Sequence, residues 1–419
     1  MIELLISNCG ELHTLEGPDR ARKGKEMKDT GCIENGAIAV DDGLIIDVGN
    51  TEKLSERYDA KEVVDATGKT VIPGFVDPHT HLAFAGSRED ELVMKIQGKT
   101  YMEILKAGGG ILRTVKMTRE ASKLQLKSEM KKRMDTMLSY GTTTAEAKSG
   151  YGLDLENELK CLEAIREMSQ EHHLDLVPTY LGAHSLPPEF EDTGDYIDHC
   201  CEEVLPIIAE KKLAEFCDVF CEKGVFDSEE SRKLLTKAAE LGMKIRVHAD
   251  EIKNIGCSKM AAEIGAVSCE HLVKSSQEDI DAMSESGVIG ILLPGTPFML
   301  MHSEYSPARR MMEAGMALAL ATDLNPNCWT ESIQMIITLA CLQMKMHPHE
   351  ALTASTINAA KAINRNDIGM LTKGKNADIV ILDIPNLQHL PYHFGVNLVD
   401  KVYKNGKCVV SDGSITQEG

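Results

Sequence analysis

The chain has 419 residues, 43% apolar and 26% charged, with 65 acidic against 45 basic side chains and a net charge of −20. That length suits one large catalytic unit with a small companion, burying roughly three quarters of its unfolded surface with no need of disulfides. The charge argues against sequence-independent nucleic-acid binding, which wants a basic face, and it requires any anionic substrate to be caught by a local cation.

In chain order, MIELLISNCGELHTLEG lacks the basic and apolar regions of a secretion signal. No apolar run reaches the length of a membrane span, so a cytoplasmic protein is expected. The stretch ARKGKEMKD (21–29) reads as a solvated loop. Residues 36–48 read as two short strands about an Asp-Gly turn. From 70 to 330, apolar runs alternate with helix-length amphipathic segments, a βαβα rhythm that predicts a parallel sheet. The candidate strands are 70–81, 141–152, 174–184, 214–224, 243–251, 266–272, 287–297 and 316–326. Eight strands in that span match a (β/α)8 TIM barrel, and the glycine-rich phosphate loop that opens a doubly wound sheet is missing.

Between these strands, AGGGIL (107–112) reads as a helix-breaking turn, since no Lys-Ser/Thr follows it. Leu124, Met130, Met134, Met137 and Leu138 recur near helical spacing before Gly141 and read as core packing. GKNADIVILD (374–383) gives a further strand, and KVYKNGKCVV (401–410) a hairpin about Asn405-Gly406. The expected architecture is α/β: the barrel over 70–372 and a small β-sandwich domain from both chain ends, 1–69 and 373–419. The 12 cysteines carry no CxxC, only the adjacent Cys200 and Cys201, and reduced thiols are expected.

In such a barrel, functional side chains sit at the C-terminal ends of strands. His79 and His81 end the first strand, His184 the third, His248 the fifth, His271 the sixth and Asp323 the eighth. The two-residue spacing of His79 and His81 puts both rings on one face of an extended chain. Two imidazoles, a third from another strand and a carboxylate make a site for a hard-to-borderline divalent metal. Asp323 shares parity with Ala317, Ala319 and Ala321, which suit a crowded barrel interior, and His271 with Val267 and Cys269. His248 shares its face with Lys244 and Arg246, which a dry interior does not explain.

VIPGFVDPHTH, TINAAKAI (356–363) and GKNADIVILD resemble segments of the amidohydrolase superfamily. Within it, FVDPHTHLAFAGSREDE, TTTAEAKSGYGLD, YLGAHSLPPE, DVFCEKGVF, VHADEI and ATDLNP are similar to the imidazolonepropionase family of histidine degradation. The resemblance covers nearly the whole chain. It implies opening of the 4-imidazolone-5-propanoate ring to N-formimidoyl-L-glutamate by hydroxide on one zinc or iron ion, divalent or trivalent. It places metal ligands at His79, His81, His248 and Asp323, and chemistry at Asp323, His271 and Glu251. Substrate contacts fall on Arg88, Tyr151, His184, Glu251 and Asn325. Asn327 and Cys328 stand where the family commonly has Gly and Ser or Thr, so a hydroxyl hydrogen bond there is lost. The resemblance also implies a homodimer and a small-molecule substrate.

Several residues keep a second reading. His184 could be a core histidine, and Arg88 could pair with Glu89 or Asp90 at a helix start. Tyr151 could be a turn aromatic, and Glu251 a helix cap. Lys223, with Glu222 beside it, reads as a solvated lysine next to a one-metal site; a bridging lysine would mean two metals. A different amidohydrolase, such as a nucleobase deaminase or cyclic-imide hydrolase, is the nearest rival, and a nucleobase deaminase would have no use for a carboxylate-binding Arg88. A catalytically dead scaffold would have lost ligands, and none is missing.

Overall fold

The computed structural model describes residues 1–99, 103–104 and 107–416. The first strands are β1 (Ile2–His13), β2 (Cys32–Asp41) and β3 (Leu44–Asn50). β2 and β3 turn through Asp42 and Gly43, at φ 49° and 74°, the two-residue geometry whose twist matches a hairpin. β4 (Ala60–Asp65) runs parallel to β1, as does β5 (Thr70–Pro73). Near the other terminus, β14 (Ile379–Leu382) pairs antiparallel with β5. It is followed by β15 (Val399–Lys404), β16 (Lys407–Ser411) and β17 (Ser414–Ile415). The result is one nine-stranded sheet in the order β17-β16-β15-β14-β5-β1-β2-β3, with β4 alongside β1. Its two halves enclose a core of Leu4, Ile6, Val40, Val71, Ile379, Ile381 and Tyr403.

The second sheet holds eight strands, each paired in parallel with its neighbour: β6 (Phe75–Asp77), β7 (Thr142–Lys148), β8 (Asp175–Ala183), β9 (Phe216–Cys221), β10 (Lys244–Ala249), β11 (Ser268–His271), β12 (Ile289–Leu292) and β13 (Leu318–Leu320). Beyond the strands, a parallel bridge between Thr80 and Leu324 joins its first and last members. There the His81 amide donates to Leu324 O at 2.9 Å, and Thr322 donates to both oxygens of buried Asp77. This is the (β/α)8 barrel, with the end-built antiparallel-rich sheet beside it.

The expected strand 70–81 divides between the two sheets. Gly74 is the break, because a Cβ there would lie 2.2 Å from Thr143 Oγ1. His79 and His81 therefore lie just past β6, in the closure segment. The expected strand 287–297 also ends early, since its Gly295-Thr296-Pro297 opens a short helix (Gly295–Met299).

Three further expectations are corrected. Residues 21–29 are not a solvated loop: Lys23 bridges to Ala317, Met27 is fully buried, and Arg22 is buried donating to Leu15 O and Asp29 O. The barrel segment holds it through Asn358, which accepts the Arg22 amide at 2.7 Å and donates to Arg22 O at 3.0 Å, and through Thr353, which donates to Met27 O at 2.8 Å. Leu124 is 79% exposed, and Leu126 takes its place in the core stripe of helix Lys123–Ser139. The thiols are not all reduced: Cys221 and Cys257 form a disulfide with Cα atoms 5.9 Å apart. They lie 36 residues apart in sequence, and only the pairing of β9 with β10, which sets Cys221 beside Ala249, brings the following helix into reach. Among the described residues, no helix is long and apolar enough to cross a membrane.

Candidate active site

At the C-terminal mouth of the barrel, four buried side chains converge. His79 Nε2 lies 3.3 Å and His81 Nε2 3.5 Å from Asp323 Oδ1. His248 Nε2 lies 3.4 Å from His81 Nε2. Asp323 sits at φ 52° and His271 at φ 70°, backbone conformations that non-glycine residues hold only where the surroundings impose them. Asp323 Oδ1 is buried with no hydrogen-bond partner, a cost that a bound cation removes. Three imidazole nitrogens and one carboxylate oxygen suit a divalent metal ion. Burial opposes the charge of Asp323, but His79, His271 and the Thr296 hydroxyl together hold it well below the usual carboxylate range.

Beneath this cluster lies a charged layer that sequence reasoning missed. Glu270 Oε2 faces His79 Nδ1 at 2.7 Å, and Asp218 Oδ2 faces His248 Nδ1 at 3.0 Å. Carboxylates behind the rings favour a proton on each Nδ1, the tautomer that leaves Nε2 free toward the cluster. Lys148 Nζ donates to Asp218 at 2.7 Å and Glu146 at 3.0 Å. Arg246 Nε donates to Glu270 at 2.5 Å, with Nη1 3.3 Å from Glu146. All five of these charged groups are completely buried. Burial works against their ionisation, yet Arg246, Lys148 and His79 hold Glu270 well below its ordinary range. The shared face of Arg246 and His248 is thereby explained: the barrel floor is ionic, not dry. The signal was the alternation that sets Arg246 on one face with His248; Glu146 and Lys148, also two apart, point inward in the same way.

The remaining candidates line the mouth unevenly. His184 stacks on His81 with centroids 4.8 Å apart, and its Nδ1 lies 2.9 Å from Gly150 O. A proton on that nitrogen leaves Nε2 bare toward the mouth, and burial with nearby His248 pushes its pKa down to about 3. Tyr151 lies 5.2 Å from the His184 ring and is buried, on a loop shaped by Glu158. Glu158, a residue the sequence did not suggest, accepts from the Gly150, Gly152 and Leu153 amides at 3.1, 2.8 and 2.9 Å. A Cβ on Gly152 would meet Glu158 N at 2.4 Å.

Arg88 pairs with neither Glu89 nor Asp90. Its Nε is 3.6 Å from Glu91 Oε1 and has no hydrogen-bond partner, although its side chain is only 9% exposed. Its charge acts on the Tyr151 hydroxyl, which burial pushes up. Glu251 lies 3.7 Å from His271 Nε2, and burial raises its pKa against the pull of His271. It caps no helix, since the next one, Cys257–Glu263, starts from Gly256.

Asn325 is turned inward on its own loop. Its Oδ1 accepts the Asn327 and Cys328 amides at 2.7 and 3.1 Å, and its Nδ2 donates to Asp323 O at 2.7 Å. Cys328 is buried, with Sγ 3.7 Å from Thr322 O, and Asn327 receives a hydrogen bond from Lys95. Arg133, over the Phe84 ring at 3.5 Å, donates to Leu82 O and Phe84 O and so fixes the chain after His81. Lys223 is exposed, unlike every member of the cluster. Its neighbour Glu222 is buried and accepts the Ile252 and Lys253 amides at 2.9 and 3.0 Å, holding the loop that carries Glu251.

The amidohydrolase family profile matches residues 70–409. An imidazolonepropionase of Alkaliphilus metalliredigens is 50% identical over 99% of this chain and 100% of its own length. One from Geobacillus sp. is 49% identical over 99% and 100%. A zinc-bound adenosine deaminase from Xanthomonas campestris shares the fold with a TM-score of 0.76 at 17% identity, covering 100% of this chain and 95% of that one. With the barrel, the buried histidine–carboxylate cluster and this full-length likeness, the chain belongs to the amidohydrolase family.

Proposed function

We propose that the enzyme hydrolyses 4-imidazolone-5-propanoate to N-formimidoyl-L-glutamate, using one zinc or iron ion held by His79 Nε2, His81 Nε2, His248 Nε2 and Asp323 Oδ1. The observation that carries the reading is the joint presence, at one barrel mouth, of this cluster and a nearly buried guanidinium with an unfilled donor at Arg88. A nucleobase has no carboxylate to fill that donor. The full-length likeness to imidazolonepropionases supports the same substrate.

A metal ion there supplies Lewis acidity, lowering the pKa of water and polarising a carbonyl. The chain's own residues do the rest. Arg88 binds the propionate tail through charge-assisted hydrogen bonds. Tyr151 and His184 flank the ring, and the bare His184 Nε2 accepts a ring N–H. The Asp323 carboxylate, through the oxygen not given to the ion, accepts a proton from the attacking water as the water oxygen bonds to the ring amide carbon. His271 donates toward the carbonyl oxygen as charge develops there. Glu251, whose pKa burial raises, delivers a proton to the ring nitrogen as the C–N bond breaks. Asn325 shapes the loop that carries Asp323, Asn327 and Cys328, and Cys328 contributes its backbone.

Loss of the imidazolone ultraviolet absorbance on adding purified enzyme, abolished by a chelator and restored by zinc or iron(II), is the expected result. A rate no faster than spontaneous decay, with metal bound, overturns the reading. We propose further that two copies assemble in the cytoplasm, which light scattering on the purified protein and fractionation of cells test.

A further inference from the structure

Helix Glu89–Ile96 begins at Arg88 and carries Glu91 and Lys95 at helical spacing on the same side. The three behave differently. Glu91 is buried and occupied, accepting the Gly110 amide at 2.8 Å beside the Arg88 guanidinium. Arg88 keeps its Nε unfilled. Lys95 is half-buried, and its ammonium donates to the neutral Asn327 Oδ1. Among the described residues, no carboxylate forms an ion pair with it. Burial and Arg88 both work against its charge, by more than Glu91 and Cys328 restore it. Asn327 lies on the loop that follows Asp323, where Asn325 accepts the Asn327 amide at 2.7 Å and donates to Asp323 O at 2.7 Å, so Lys95 borders the same mouth.

Two cations on one side of a helix, one with an empty donor and the other anchored to a neutral amide, repel each other, and Glu91 between them also serves the Gly110 amide; a further anion reduces that cost. Acidic side chains are plentiful in a chain of net charge −20, yet the hydrogen-bond partner of Lys95 is an amide. We propose that Lys95 is a second cation for the carboxylate tail of the substrate, positioned for it by the Asn327 side chain. Arg88 takes one edge of the carboxylate and Lys95 the other. The inference rests on the reading of Arg88 as the tail-binding residue, and adds to it a two-sided clamp in which Asn327 acts through its side chain.

The test compares the acid substrate with its tail methyl ester, which keeps the ring and loses the charge. Lys95→Met should raise KM for the acid about tenfold with kcat within about twofold, and leave the ester's constants unchanged. Lys95→Arg should recover most of the loss. Asn327→Ala should shift KM for the acid the same way by about twofold to threefold, since the ammonium stays but loses its anchor. An unchanged KM for the acid in Lys95→Met, or an equal rise for acid and ester, overturns the clamp. Arg88→Met separates the two readings. If it alone abolishes the preference for acid over ester, Lys95 is excluded and the Arg88 site stands; if the preference survives both substitutions, the tail site fails as well.

Discussion

The two sheets solve opposite problems with the same backbone alternation. Inward positions of the end-built sheet are Leu4, Ile6, Val40, Val71, Ile379 and Ile381, which pack as an apolar core. Inward positions of the barrel near its mouth are Glu146, Lys148, Asp218, Arg246 and Glu270, all with no exposure, above which sit the histidines. Burying those charges does not make the barrel more stable than apolar packing would, because desolvation offsets most of the attraction. What the ionic floor provides is direction: fixed acceptors behind His79 and His248, hence fixed nitrogens in front. The end sheet should therefore govern stability with little effect on chemistry, and the floor should govern metal binding.

The largest effect is expected at the cluster itself. Asp323→Asn removes both the charge and the proton acceptor, and turnover should fall by at least about a thousandfold. Full activity in that variant would sink the scheme. His79→Ala should do the same and lose bound metal by elemental analysis.

One layer down, Glu270→Gln keeps shape but weakens the hold on His79. Metal affinity should drop about 10–100-fold in a chelator competition. Lys148→Met leaves three carboxylates around one remaining cation and should destabilise the fold by about 3–5 kcal/mol, read by denaturant unfolding. If Lys148→Met instead proves neutral, the floor is not a coupled network and the contrast between the two sheets collapses.

In the end sheet, Ile379→Ala opens a cavity between the two halves of the core. Stability should fall by about 2–5 kcal/mol, with kcat and KM unaltered at temperatures where the variant is folded. A changed kcat would mean that the end sheet reaches the site, through β5 and Gly74 or by another route.

The barrel and its mouth were legible for a physical reason: strand-end histidines and Asp323 are few, polar and spaced so that alternation brings them together. The floor was not, because Glu146, Asp218 and Glu270 are common surface residues and nothing local distinguishes a buried one. Only the conflict at Arg246, a cation sharing a face with His248, pointed to it. Likewise Gly74 looked like part of one strand, and its role is visible only against Thr143 on the neighbouring strand. The docking of residues 21–29 depends on Asn358 bonding both the amide and the carbonyl of Arg22, and on Lys23 meeting Ala317 from the far end of the barrel segment. Such long-range partners, like the pairing of Cys221 with Cys257, leave no periodic trace.

The smallest effect is expected at Lys223, and its smallness carries information. It stands just past β9, where a lysine could bridge two metal ions, but it is exposed while the cluster is buried. Its backbone amide donates to Glu222 Oε1 at 2.8 Å, a contact that Lys223→Ala preserves. That variant should keep activity within about twofold and bind the same single equivalent of metal, since an exposed side chain contributes little. Loss of a metal equivalent would replace the one-metal site with a two-metal one. Glu222→Gln is the sharper companion: it weakens the acceptor for the Ile252 and Lys253 amides, loosening Glu251 without touching the histidines, so kcat should fall while metal content stays whole.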